Sequence, residues 1–199
     1  MSRSKTIRIH SKLSHSRANG PGLRTSVWLQ GCPFRCANCF NNGLNDTEGE
    51  TNSKVNELFQ WLVSIHDVSG VTLSGGEPTE QIPALITFLT RIKQRTDLSI
   101  LLFSGRTLED IIALTGGKRL ISFIDVLIDG KYDHKQANPP GIWPSSANQK
   151  IHFLTKRYTI KDFTNLPMSE VIIQEDGEVV ESGIFGHSRD ENSNDLPTP

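Results

Sequence analysis

Short unbroken apolar runs alternate with stretches of helical periodicity along most of this chain. The runs are TSVWLQ (25–30), VTLS (71–74), LSILLFS (98–104) and FIDVLID (123–129). Between them, Val55, Leu58, Trp61, Leu62 and Ile65 form a helical stripe over 54–66, and Ile82, Leu85, Ile86, Leu89 and Ile92 form another in a helix ending near Thr96. Thr107, with Asp110 three residues on, predicts an N-cap for a short helix over 108–115, which Gly116-Gly117 stops. Near-continuous strands joined by amphipathic helices predict an α/β fold, a parallel sheet with helices outside. In such folds chemistry gathers at the carboxyl ends of the strands. Cys32 follows the first main strand, Gly75-Gly76-Glu77-Pro78 the second, Ser104-Gly105 the third and Asp129-Gly130-Lys131 the fourth.

The flanks are less regular. Residues 5–10 alternate like a short edge strand, while 11–22 and 41–53 read as polar loops. A Pro-rich loop spans 138–150, a strand is expected within 150–158, and 171–183 reads as two strands around Asp176-Gly177. Residues 1–185 are expected to form one domain, with 186–199 a disordered tail because it is nearly devoid of apolar side chains. Lys+Arg total 21 against 22 Asp+Glu, so overall charge cannot drive nucleic-acid binding. No run approaches the roughly 18 apolar residues of a membrane span. The basic start, MSRSKTIRIH, has no apolar core of a secretory signal, so a reducing cytoplasm is the expected compartment.

Cys32, Cys36 and Cys39 are the chain's three cysteines, and all lie within GCPFRCANCFN. An odd, tight cluster is no disulfide framework; in a reducing compartment it points to metal or catalysis. Three readings stay open on spacing alone. A four-iron cluster would leave one iron without a protein ligand. Zinc would need a distant fourth ligand, such as His10 or His15. A redox thiol site is the third.

C-x3-C-x2-C followed by a post-strand GGEP resembles the radical S-adenosylmethionine (SAM) superfamily. GPGLRTSVWLQGC (20–32) is similar to the segment before the cluster in pyruvate formate-lyase activating enzymes. GCPFRCANCFN, LIDGKYD and SSANQ (145–149) resemble anaerobic ribonucleotide reductase activating proteins. The resemblance covers residues 5–155 and implies a partial (β/α) barrel, since this length holds too few units for a full barrel of ~250 residues. It implies that Cys32, Cys36 and Cys39 hold a [4Fe-4S] cluster whose fourth iron is chelated by SAM. The reduced cluster would split the sulfonium to give methionine and a 5′-deoxyadenosyl radical, which takes a hydrogen atom from a glycine of a partner enzyme. An electron donor such as flavodoxin or ferredoxin is also implied.

The same resemblance places the backbone of Asn38, Cys39 and Phe40 against adenine, and Asp129, Lys131 and Ser104 along the SAM site. It adds no catalytic side chain beyond the cluster and SAM site. Physically, Gly75 and Gly76 permit close backbone approach to a ligand, and Glu77 can accept a charge-assisted bond from the SAM ammonium. Plainer readings stand beside these: a strand-to-helix turn for GGEP, a turn pair for Asp129-Gly130, a local cap for Ser104, a strand-start role for Arg24, and surface or packing roles for the histidines. Two rival functions follow: a radical SAM enzyme acting on another peptide or small metabolite, and a zinc-stabilised interaction module.

Overall fold

The computed structural model describes residues 6–39, 41–46, 51–139, 141–173, 177 and 179–183. The strands are β1 (Thr6–Ser16), β2 (Arg24–Leu29), β3 (Thr51–Lys54), β4 (Gly70–Gly75), β5 (Ser99–Ser104), β6 (Val126–Asp129), β7 (Lys150–Phe153), β8 (Ser169–Ile173) and β9 (Val179–Gly183). The helices are α1 (Val55–Val63), α2 (Ile82–Arg95), α3 (Leu108–Ala113) and α4 (Gly117–Ile121). Seven strands form one sheet in the order β3-β1-β2-β4-β5-β6-β7, and β8 pairs with β9 in a separate hairpin. β2, β4, β5 and β6 run parallel at its centre. β1 and β3 flank them antiparallel on one side and β7 on the other. The fold is α/β as expected, but the sheet is mixed rather than wholly parallel.

The departures have local causes. β1 continues through the predicted loop, because Leu13 and Ser16 keep a buried face while the backbone stays paired to β2 as far as Ser16 opposite Arg24. TNSK (51–54) has no apolar residue, yet it forms β3 by pairing with the free edge of β1. α1 stops at Val63, short of Ile65. α3 stops at Ala113, before the glycine pair; Gly116, at φ +84, is the N-cap of α4, which Gly117 opens. The expected Thr107 cap is present, with its hydroxyl accepting from Asp110 N–H at 3.2 Å. The hairpin is present, although Asp176 of its turn, His187 and the proposed tail 186–199 lie outside the described residues.

Alternation along each parallel strand sorts the residues onto two faces. Val27, Leu29, Val71, Leu73, Ile100, Leu102 and Leu127 pack beneath α1, α2 and α4 in one core. Burying each such side chain stabilises the fold by about 1.5–3 kcal/mol. Leu101, Val126 and Ile128 face the other way, under Phe163, Trp143, Phe153 and Tyr158 from the chain beyond β6. That C-terminal segment is therefore a cover for the second face. The hairpin docks beside it: Glu170 accepts from the Ser16 hydroxyl and from Arg17 N–H at 2.9 Å. Asn19 Nδ2 donates to Ser182 Oγ at 2.6 Å. Among the described residues no helix is long and apolar enough to cross a membrane.

Asp125, just before β6, ties three elements together. Its carboxylate accepts from Lys93 Nζ (2.8 Å), Ile100 N–H (2.8 Å) and Thr155 Oγ (2.9 Å). Burial alone would raise its pKa, but these donors outweigh it and hold the carboxyl below its ordinary value. A depressed folded pKa stabilises above the unfolded value, near ~4, and that stability is lost as pH falls through the folded value. The melting temperature of Asp125→Asn should therefore fall less than that of the native protein between pH 5 and 2. Parallel curves would contradict the assignment.

Candidate functional site

The segment carrying the cysteines is held against the turn after β4 by backbone hydrogen bonds. Gly76 N–H donates to Leu29 O at 2.7 Å, and Glu77 N–H to Gly31 O at 2.9 Å. Gly75, at φ +97, sits against the backbone of Leu29. A Cβ on Gly76 would stand 2.4 Å from Gly31 O, closer than any side chain tolerates. The close approach expected of this glycine pair is thus made to the strand that feeds Cys32. On the loop's other side, Gly31 N–H donates to Leu44 O (2.9 Å) and Cys32 N–H to Asn45 O (3.3 Å).

Glu77 is 1% exposed. Its Oε1 accepts from Thr79 N–H (3.0 Å), Thr79 Oγ (2.6 Å) and Ser104 Oγ (2.9 Å). Its Oε2 accepts from Gly105 N–H at 2.8 Å. The carboxylate therefore pins the turn after β5 to the turn after β4, a task that sequence reasoning did not assign. Ser104 also takes Arg106 N–H on its hydroxyl (3.0 Å), the local cap of the plainer reading.

Cys32, Cys36 and Cys39 open on one cavity with Gly75, Gly76, Glu77, Ser104 and Lys131. All three are half-buried free thiols. Burial pushes the Cys32 and Cys36 thiols up, with the Glu77 carboxylate adding to the effect at Cys32; Lys131 opposes it at Cys36. A redox thiol wants the opposite shift. Among the described residues no three His, Cys, Asp or Glu side chains converge as a single-ion site requires. A cluster makes no such demand, because each thiolate takes a different iron. His15, one possible zinc ligand, contacts Ser14 Oγ and His66 O at 3.1 Å each. It lies toward the Arg24 end of β2, away from Cys32. Three free thiols on one cavity suit an iron–sulfur cluster.

The remaining predicted residues divide. Lys131 lines the cavity, with Nζ 4.5 Å from the centroid of the Phe34 ring. Asp129 does not line it; its Oδ2 accepts from Leu108 N–H (2.6 Å) and contacts His152 Nε2 (2.9 Å). Asn38 is exposed at φ +55, a left-handed conformation that asparagine tolerates better than an aromatic residue would. Phe40 lies outside the described residues. The cavity continues along the second sheet face past Ser74 and Trp28 to Trp143. Alternation in TSVWLQ, with Ser26 and Trp28 opposite Val27 and Leu29, was the available signal for that wall.

The profile of the 4Fe-4S single cluster domain family matches residues 18–152. The chain belongs to that family. This 4Fe-4S-domain chain is also similar to curated proteins named anaerobic ribonucleoside-triphosphate reductase-activating protein. That of Pasteurella multocida (strain Pm70) is 31% identical over 148 residues, covering 69% of this chain and 92% of the relative. That of Vibrio cholerae is 32% identical over 147 residues, covering 69% and 92%. The Enterobacteria phage T4 protein is 33% identical over 142 residues, covering 67% and 85%. The family match contains every predicted site residue and ends at β7, so β8 and β9 lie beyond it.

Proposed function

We propose that the cavity holds a [4Fe-4S] cluster with SAM, and that the chain activates a glycyl-radical enzyme of the anaerobic ribonucleotide reductase kind. Bound there, the pair supplies one chemistry: one-electron reductive cleavage of a sulfonium, giving a radical that takes a hydrogen atom from a partner's glycine. The observation that carries this reading is that all three thiols and the Gly75–Glu77 turn share one cavity. Cys32, Cys36 and Cys39 ligate three irons and leave the fourth open. The backbone of Asn38 and Cys39 would lie on the adenine side of SAM. Gly75 and Gly76 hold the turn close to Cys32. Glu77 Oε2, which among the described residues accepts from Gly105 N–H alone, keeps capacity for an ammonium. Ser104 fixes Glu77, and Lys131 lies beside the thiols. Asp129 contributes by setting the end of β6 from which Lys131 follows.

On this reading the sheet is a radical SAM partial barrel, with the C-terminal cover on its inner side. The relatives' names support the class of partner, a protein. The electron comes from a donor of the flavodoxin or ferredoxin type. The test is anaerobic incubation of reconstituted protein with SAM, a reductant and candidate glycyl-radical enzymes. A glycine-centred EPR doublet on a candidate is the expected result. SAM cleavage without a doublet on any candidate would transfer the site to a peptide or small-metabolite substrate.

A further inference from the structure

Phe34 lies between the first two cysteines, and its ring is gripped by the ends of two strands. Gly105, after β5, lies so close that a Cβ there would stand 2.7 and 2.8 Å from ring atoms Cδ2 and Cε2. Arg106 places its guanidinium carbon 5.2 Å from the ring centroid, and Lys131, after β6, places Nζ at 4.5 Å. The Arg106 guanidinium and the Lys131 backbone are themselves tied down. Arg106 donates to Thr79 Oγ (3.0 Å) and Glu80 Oε1 (2.6 Å), and Asn148 Nδ2 donates to the Lys131 carbonyl at 2.8 Å. The ring therefore joins the cysteine loop to the turns after β4, β5 and β6.

The loop needs such a grip. Arg35 has positive φ (47°), a conformation that costs a long side chain energy and persists where the surroundings impose it. Another side-chain tie nearby, Arg35 to Asp46 at 3.5 Å, is exposed and weak. We infer that Phe34 is a positioning residue. Held between Gly105 and the Arg106 and Lys131 cations, its ring sets where Cys32 and Cys36 stand relative to the Glu77 turn. The cluster consequence rests on the proposed function; the placement of the loop does not.

The test compares full-length native protein with Phe34→Ala and Phe34→Tyr. In metal-free protein, amide hydrogen exchange over residues 31–39 should quicken about tenfold in Phe34→Ala, with β2, β4 and β5 unchanged, and return to native in Phe34→Tyr. After anaerobic reconstitution, iron and sulfide should fall about threefold or more in Phe34→Ala, with an altered cluster EPR spectrum, and recover in Phe34→Tyr. Native exchange over the loop in Phe34→Ala overturns the inference. Should that variant loosen the whole sheet, Gly105→Ala, which intrudes on the ring from the other side, decides: loop exchange quickens, or the inference fails. Native protein that takes up no iron would sink the cluster reading, while the exchange comparison still judges Phe34.

Discussion

Gly76→Ala protein will fold but fail to load iron, retaining about a tenth of native content or less. The added Cβ would meet Gly31 O at 2.4 Å, and that atom is backbone hydrogen-bonded to Glu77 N–H. Neither partner can move as a flexible side chain would. The clash is relieved only if the strand feeding Cys32 parts from the turn carrying Glu77. Overpacking of this kind costs about 1–3 kcal/mol in stability. Sub-ångström to 1 Å misplacement at a reacting centre costs about a hundredfold in function. The fingerprint is thus a modest drop in melting temperature with a disproportionate loss of iron and, under the proposed function, of SAM cleavage. Native iron content with native cleavage would show that the weld between the two segments is unimportant.

Arg24→Ala should cost about 4–5 kcal/mol in stability. Arg24 is 0% exposed at the start of β2. Nε donates to Thr72 Oγ (2.8 Å), Nη1 to Ser99 Oγ (3.0 Å) and Nη2 to Val71 O (2.9 Å). Pro21 O and the Tyr158 hydroxyl, both 3.2 Å from Nη1, and Ser99 O, 3.3 Å from Nη2, accept as well. Its contacts are carbonyls and hydroxyls, so the guanidinium serves as a hub joining the starts of β2, β4 and β5 to the C-terminal cover. Truncation leaves a cavity and several buried acceptors without donors. At roughly 2–4 °C per kcal/mol for a chain of this size, the melting temperature falls by about 10 °C or more. Arg24→Lys recovers only part, because an ammonium offers three donors at a point where the guanidinium offers five in a fork. A melting temperature within 2 °C of native in Arg24→Ala would contradict this role.

Much of the fold was legible because each parallel strand carries an apolar face, and Val27, Val71, Ile100 and Leu127 announce it locally. β3 was not, because TNSK owes its conformation to pairing with β1 rather than to its own side chains. The extension of β1 was hidden by the polar residues around Leu13, whose burial depends on partners distant in sequence. The spacing of the cysteines and their position after a strand were enough to expect them beside GGEP. What contacts the two glycines was not legible, since a glycine signals close approach without naming the neighbour. Nor was Glu77's grip on Ser104 and Gly105, which joins residues 27 and 28 positions apart. The resemblance sets Asp129 along the SAM site; what it did not show is that the register opposite Lys150 brings Asp129 to His152. Arg24 was read as a strand-start residue, and its burial depends on Tyr158 and the cover above it.

The most direct measurement is EPR of the anaerobically reconstituted, reduced protein titrated with SAM, alongside iron and sulfide assays. The account predicts about four irons and four sulfides per chain. It predicts a cluster spectrum that changes on adding SAM, and loss of both cluster and response when Cys32, Cys36 or Cys39 is replaced by serine. Protein that binds zinc in place of iron, or a reduced cluster whose spectrum ignores SAM, would contradict it.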